Sequence, residues 1–128
     1  MQNYRLSRAA QLLGVSDDTL RRWADAGRLS TSTDDEGRRV VSGPDLAAFA
    51  VSHAGDPTGP ERTSARNRFE GIVTRVLRGD VVSQVEVQAG PHRLVSLLTT
   101  ESVDELGLAP GVAAVASVKS TNVVMELP

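Results

Sequence analysis

The chain contains no cysteine, one lysine and only four aromatic residues in 128 positions. Without cysteine there is neither a disulfide framework nor a thiolate metal site. No apolar run approaches the ~20 residues a membrane-spanning helix requires, and the opening Met1-Gln2-Asn3-Tyr4-Arg5 lacks the apolar stretch of a signal peptide. A soluble, cytoplasmic chain with no membrane partner is the expectation. Excess positive charge is also missing, the formal net charge being −2 at pH 7. Arginines and acids are nearly balanced in both halves, so any nucleic-acid contact must rest on local patches rather than on an overall field. His53 and His92 are the only histidines, no Ser/His/Asp set or Gly-rich phosphate loop occurs, and Asp104-Glu105 reads as a solvated helix face. Neither an enzyme, a metal-cation site nor a nucleotide cofactor is expected.

What is present divides the chain in two. Residues 5–52 follow helical spacing and residues 68–127 alternate with a period near two. Between them "HAGDPTGPERT" carries two Pro and two Gly and no apolar periodicity, as a linker does. The predicted organisation is α+β in two small domains, 1–52 and 63–128, joined by 53–62. Each half is near the size at which a single core is marginal. In the second, Phe69 is the only aromatic, leaving Val, Leu and Ile to pack it. Such a domain borrows core from a partner, which predicts a homo-oligomer, a dimer or a trimer of dimers.

In "LSRAAQLLGVSDDTLRRWADAGRLS", Ser7 is a candidate N-cap for a helix with Ala10, Leu12 and Leu13 as its apolar stripe. Gly14 permits a tight turn and Val15 plugs the angle between two helices. Ser16 caps the second helix, Asp17 and Asp18 suit its dipole, Leu20 and Trp23 face inward, and Gly27 ends it. Thr19, Arg21, Arg22 and Asp25 occupy the opposite face, where a helix in a major groove needs polar groups and arginine. "RLSTSTDDEGRRVV" reads as a hairpin with Arg38 and Arg39 on its tip and return strand, and "SGPDLAAFAVS" as a third helix entered at Pro44. This order, and "AAQLLGVSDDTLRRWADAGRL" in particular, resembles the MerR-like and excisionase-like winged helix-turn-helix family over roughly Tyr4–Val51. The resemblance implies double-stranded DNA as a partner, met by Ser16, Thr19, Arg21 and Arg22 from the recognition helix and by Arg38 and Arg39 from the wing.

The second half predicts strands in "RFEGIVTRVLRG", "VVSQVEVQAG", "HRLVSLLTT", "GVAAVASVK" and "VVMEL", with a short helix in "ESVDELGL". Strict alternation puts Phe69, Gly71, Val73, Arg75 and Leu77 on one side of the first strand. Five strands and one helix suggest a small OB-like β-barrel. Donors without acceptors gather at strand ends: Ser64, Arg66 and Asn67; Thr99 and Thr100; then Lys119 to Asn122. Hydroxyls, N–H groups and one or two cations suit a fully ionised tetrahedral oxyanion. A site without carboxylates also disfavours a protonated phosphate, whose O–H is left unpaired.

"SARN" with glycine four residues on, then "LLTTESVDELGL", then "VKSTNVV", resembles the molbindin (Mop/TOBE) family of molybdate- and tungstate-binding domains over Thr63–Leu127. The resemblance implies that Ser64, Arg66, Thr99, Lys119 and Ser120 line the oxyanion, helped by backbone N–H groups near Ala65, at sites between subunits. Ser120 stands where the family usually has alanine. Together the halves predict a molybdate- or tungstate-binding transcriptional regulator. The alternatives are a molybdate storage protein whose helical domain serves assembly, and an excisionase-like DNA binder whose barrel only dimerises.

Overall fold

A computed structural model describes residues 2–54 and 63–128; most of the expected linker lies outside them. The chain separates into two compact units, Met1–Thr58 and Gly59–Pro128.

The first unit is built from β1 (Asn3–Arg5), α1 (Leu6–Leu13), α2 (Asp17–Asp25), β2 (Ser32–Thr33), β3 (Arg39–Ser42) and α3 (Gly43–Ala54). Its antiparallel sheet has the order β1-β3-β2. Leu6, Ala9, Ala10, Leu20, Leu29, Val41, Leu46 and Phe49 form one core, with Tyr4, Leu13, Val15 and Trp23 packed on it. Each fully buried Leu, Val or Phe contributes about 1.5–3 kcal/mol, so this unit has a core of its own.

Three expectations are corrected here. Ser7 does not cap α1: the chain runs from β1 straight into the helix at buried Leu6, and Arg5 takes the cap position without a side-chain bond. Leu12 is 46% exposed, because α1 turns the Leu6, Ala9 and Ala10 face inward instead. His53 is not part of the linker, although it stays exposed. It lies in the last turn of α3, its ring 4.6 Å from Trp23 and stacked on Phe49 at 5.7 Å. As expected, Ser16 caps α2 by accepting from the Thr19 N–H at 3.2 Å. Gly14 adopts φ 70°, the left-handed region the inter-helix turn requires.

The second unit contains β4 (Asn67–Leu77), β5 (Val82–Ala89), β6 (His92–Thr99), α4 (Thr100–Leu106) and β7 (Ala113–Val118). They form one antiparallel sheet in the order β6-β5-β4-β7. The predicted alternation of β4 fails at one residue. The ladder runs Val73 to Val87 and then Arg75 to Glu86, a bulge at Thr74 whose hydroxyl donates to the Glu86 carbonyl at 3.3 Å. The extra residue shifts the phase. Val76 therefore joins Val73 over the core, while Arg75 pairs with Glu86.

The second core is thin. Val73, Val85, Val87 and Val103 are buried together, with Val76, Leu98, Leu108 and Ala114 against them. Leu106, on the same short helix as buried Val103, is exposed. So are Phe69, Val95 and Leu97. The expected fifth strand is absent as such: among the described residues Val123–Leu127 has no ladder partner, and Val124, Met125 and Leu127 are more than four-fifths exposed. Four strands leave the sheet open between its edges β6 and β7. There an apolar groove of about 350 Å³ is lined by Leu94, Leu98, Leu106, Leu108 and Val115 among others.

Glu86, a carboxylate in the middle of β5, is only 8% exposed. The Arg93 guanidinium lies against its carboxylate, and Gln84 donates to the same oxygen at 3.2 Å. The hydrogen bond from Arg93 holds the Glu86 pKa below its ordinary 4.5. A carboxylate depressed in the folded state contributes stability present above its unfolded pKa, and lost as pH falls through the folded one. Glu86→Gln is therefore expected to flatten the rise in melting temperature with pH through the acidic carboxylate range, below and around 4.5. Melting curves across pH 3–6 check this, and parallel wild-type and variant profiles refute it.

Candidate functional site

In the first unit the predicted DNA-facing residues belong to two elements, α2 and the β2–β3 hairpin. The hairpin tip is organised by Asp34, whose Oδ1 accepts the N–H groups of Glu36 at 3.0 Å and Arg38 at 2.8 Å. Gly37 takes φ 78° beside it. The acids of the hairpin tip thus shape the turn and pair with one wing arginine. Arg38 meets Glu36. Arg39 reaches from the hairpin to α2, 2.6 Å from Asp25 and 3.1 Å from the Thr31 hydroxyl. On α2, Ser16 and Thr19 are bonded to each other at 2.9 Å, and Arg22 leans on the Thr19 hydroxyl at 3.4 Å. Arg21 is exposed and has no carboxylate partner among the described residues. A concavity of about 530 Å³ lies between these elements, lined by Arg5, Ser7, Arg21, Asp25, Arg38 and Arg39. Sequence reading did not single out Arg5, because a three-residue strand gives no periodicity to mark where its side chains point.

In the second unit, strand register decides which donors meet. Asn67 pairs with Val118, and the Asn67 side chain donates to the Val118 carbonyl at 3.1 Å. This brings Ser64, Ala65 and Arg66, just before β4, to the end of the sheet where Lys119 and Ser120 leave β7. Ser64, Arg66, Lys119 and Ser120 are exposed. A 3₁₀ turn, Ser120–Asn122, follows Lys119. Among the described residues neither Arg66 nor Lys119 is paired with a carboxylate. The Ala65 N–H donates to the Thr63 hydroxyl at 3.1 Å, and Arg66 donates to the Thr63 carbonyl at 3.0 Å.

Thr99 lies elsewhere. It pairs with Val82 at the start of β5, next to the Leu77 end of β4. Ten residues of β4 separate that end from Asn67, roughly 30 Å along a strand at ~3.3 Å per residue. Its hydroxyl caps α4, accepting from the Ser102 N–H at 3.1 Å and donating to the Ser102 hydroxyl at 2.7 Å. One chain therefore gathers four donor residues at one end of the sheet and holds the fifth at the other.

The comparisons with known proteins follow the same division. The TOBE domain model matches residues 63–125. Molybdenum-pterin-binding protein 2 of Clostridium pasteurianum is 38% identical over 63 residues, which cover 48% of this chain and 93% of that protein. The chain belongs to the TOBE domain family. In the first unit, residues 5–41 match the model of the MerR family regulatory proteins. Molybdenum-pterin-binding protein MopA of Rhodobacter capsulatus is 37% identical over 83 residues, 64% of this chain. The chain spans only 31% of MopA. Among solved structures, the cytoplasmic molybdate-binding protein ModG, with molybdate bound, aligns at a TM-score of 0.50 and 38% identity. That alignment covers 52% of this chain and 48% of ModG. The curled antiparallel sheet of the second unit is thus the fold of molybdate-binding domains, and the helical first unit has the element order of a winged helix-turn-helix.

Proposed function

We propose that this chain binds molybdate or tungstate through its TOBE unit and double-stranded DNA through its MerR-like unit, acting as an oxyanion-responsive transcriptional regulator. The observation that carries the oxyanion half is the gathering of Ser64, Arg66, Lys119 and Ser120 at one end of the sheet, with neither cation paired to a carboxylate among the described residues. Such a donor set matches an oxyanion that has four acceptor oxygens and no proton to give. Thr99 would enter the same site from a second copy. The DNA half rests on α2 and the wing: Ser16, Thr19, Arg21 and Arg22 from the recognition helix, Arg38 and Arg39 from the hairpin.

A homo-oligomer is part of the proposal. The groove between β6 and β7 is apolar, and among the described residues both edges are unpaired and the largely apolar Val123–Leu127 has no strand partner. Strand addition from another copy would satisfy all three. Truncation after Asn122 is expected to lower the molar mass measured by light scattering, or to abolish the sheet signal in circular dichroism. Unchanged mass and melting temperature would rule the segment out. Paired DNA-binding units follow from such an assembly, and oxyanion at the subunit junction would regulate them by favouring one arrangement.

The decisive experiment is calorimetric titration of the full chain with molybdate and tungstate, followed by DNA-shift assays with and without them. Binding of both, with oxyanion altering the shift, is the expected result. Oxyanion binding without DNA affinity would make this a storage protein. DNA binding without oxyanion affinity would leave the TOBE unit with assembly alone.

A further inference from the structure

The four arginines around the first unit's concavity are not equivalent. Arg39 is held by Asp25 and Thr31, and Arg38 by Glu36. Arg5 and Arg21 line the same hollow with no carboxylate partner among the described residues, and both are exposed. They come from different elements, β1 and α2, fixed relative to each other because β1 is laddered to β3 from Asn3–Ser42 to Arg5–Val40. The Asp25–Arg39 bond then ties β3 back to α2. Two unneutralised guanidinium groups thus share one concave surface whose rim is braced. Ser7 adds a hydroxyl to the lining.

We propose that this hollow seats a phosphodiester of the DNA backbone, with Arg5 as a contact residue alongside Arg21 and with the Asp25–Arg39 pair as the brace that sets the hollow's shape. This rests on the DNA-binding reading above and adds a residue and a division of labour to it. A helix ~10–12 Å across fills a major groove ~12 Å wide. Elements flanking the recognition helix then meet the phosphate strands on either side. Guanidinium forks present two parallel N–H groups to the two free oxygens of a phosphodiester, and being weakly hydrated they yield their water readily. A base contact is not expected from Arg5, since β1 lies beside the helix rather than on its groove-facing surface. Its role is affinity without sequence preference.

The test compares wild type, Arg5→Ala and Arg5→Lys on a duplex the wild type binds and on unrelated duplexes, by fluorescence anisotropy from 50 to 300 mM salt. Arg5→Ala is expected to weaken binding to every duplex by a similar factor, about 5- to 20-fold, and to reduce the log–log salt slope by about one. Arg5→Lys should restore the slope and only part of the affinity, because the point charge remains while the fork is lost. Arg5 is exposed, so equal melting temperatures are expected and confirm that folding is intact. Arg5→Ala with wild-type affinity and slope overturns the seat while the wider DNA-binding reading stands. A change in sequence preference overturns the backbone role. A wild-type chain that binds no duplex overturns both.

Discussion

Lys119→Ala is expected to reduce molybdate affinity by about 30- to 1,000-fold in calorimetric titration, leaving the melting temperature near that of the wild type. Lys119 is the chain's single lysine, exposed at the end of β7 beside the Asn67–Val118 pair that brings Arg66 near it. No carboxylate among the described residues holds it, so the folded chain loses no ion pair when it is removed. A hydrogen-bonded charge partner of a ligand, once truncated, costs about 2–4 kcal/mol, at ~1.4 kcal/mol per decade of affinity. Lys119→Arg keeps the charge and should retain more affinity than the alanine variant. Affinity within threefold of wild type for Lys119→Ala would remove the residue from the site and, with it, the proposed geometry.

The largest expected effect on folding belongs to Gly71→Ala. A Cβ at Gly71 would lie 2.3 Å from the Gln88 carbonyl oxygen, 2.8 Å from its carbon and 2.9 Å from the Ala89 Cα. All three atoms are backbone of β5, so no rotamer change makes room. β4 and β5 must part where they run together. Forced overpacking of this kind costs about 1–3 kcal/mol or more, and this core of valines has little reserve. A fall in melting temperature of roughly 4 °C or more follows for a domain this small, at ~4–8 °C per kcal/mol. Calorimetry of the full chain should show it in the transition of the second unit. A melting temperature within 2 °C of wild type would mean that the two strands are not so close.

Turn and cap chemistry made much of this legible in the sequence. Gly14 and Gly107 take positive φ where their helices end, and Ser16 caps α2, because only a few residue types satisfy those backbone demands. The hairpin of the first unit and the strands β4 to β7 follow from apolar patterning. What remained hidden depends on partners distant in sequence. Nothing local announces the bulge at Thr74, since Val73 and Val76 look equally apolar in either phase. The Glu86 carboxylate is sheltered by Arg93, a residue of the next strand. Val123–Leu127 has strand composition but is laddered to no strand among the described residues. For the candidate site, composition picked out donors, while register decided their company: Arg66 and Lys119 share one end, and Thr99 faces the other. Arg5 was hidden by the brevity of β1.

The position of Thr99 carries a consequence for how such a molecule measures its ligand. On the proposed reading a solitary chain holds an incomplete donor set, and occupancy requires two chains to meet. Mass action then makes the titration curve depend on how much protein is present as well as on how much oxyanion is. Dilution would blunt the response, and accumulation of the protein would sharpen it. The dose that half-saturates the site would belong to the cell's stock of this chain as much as to the chemistry of its donors.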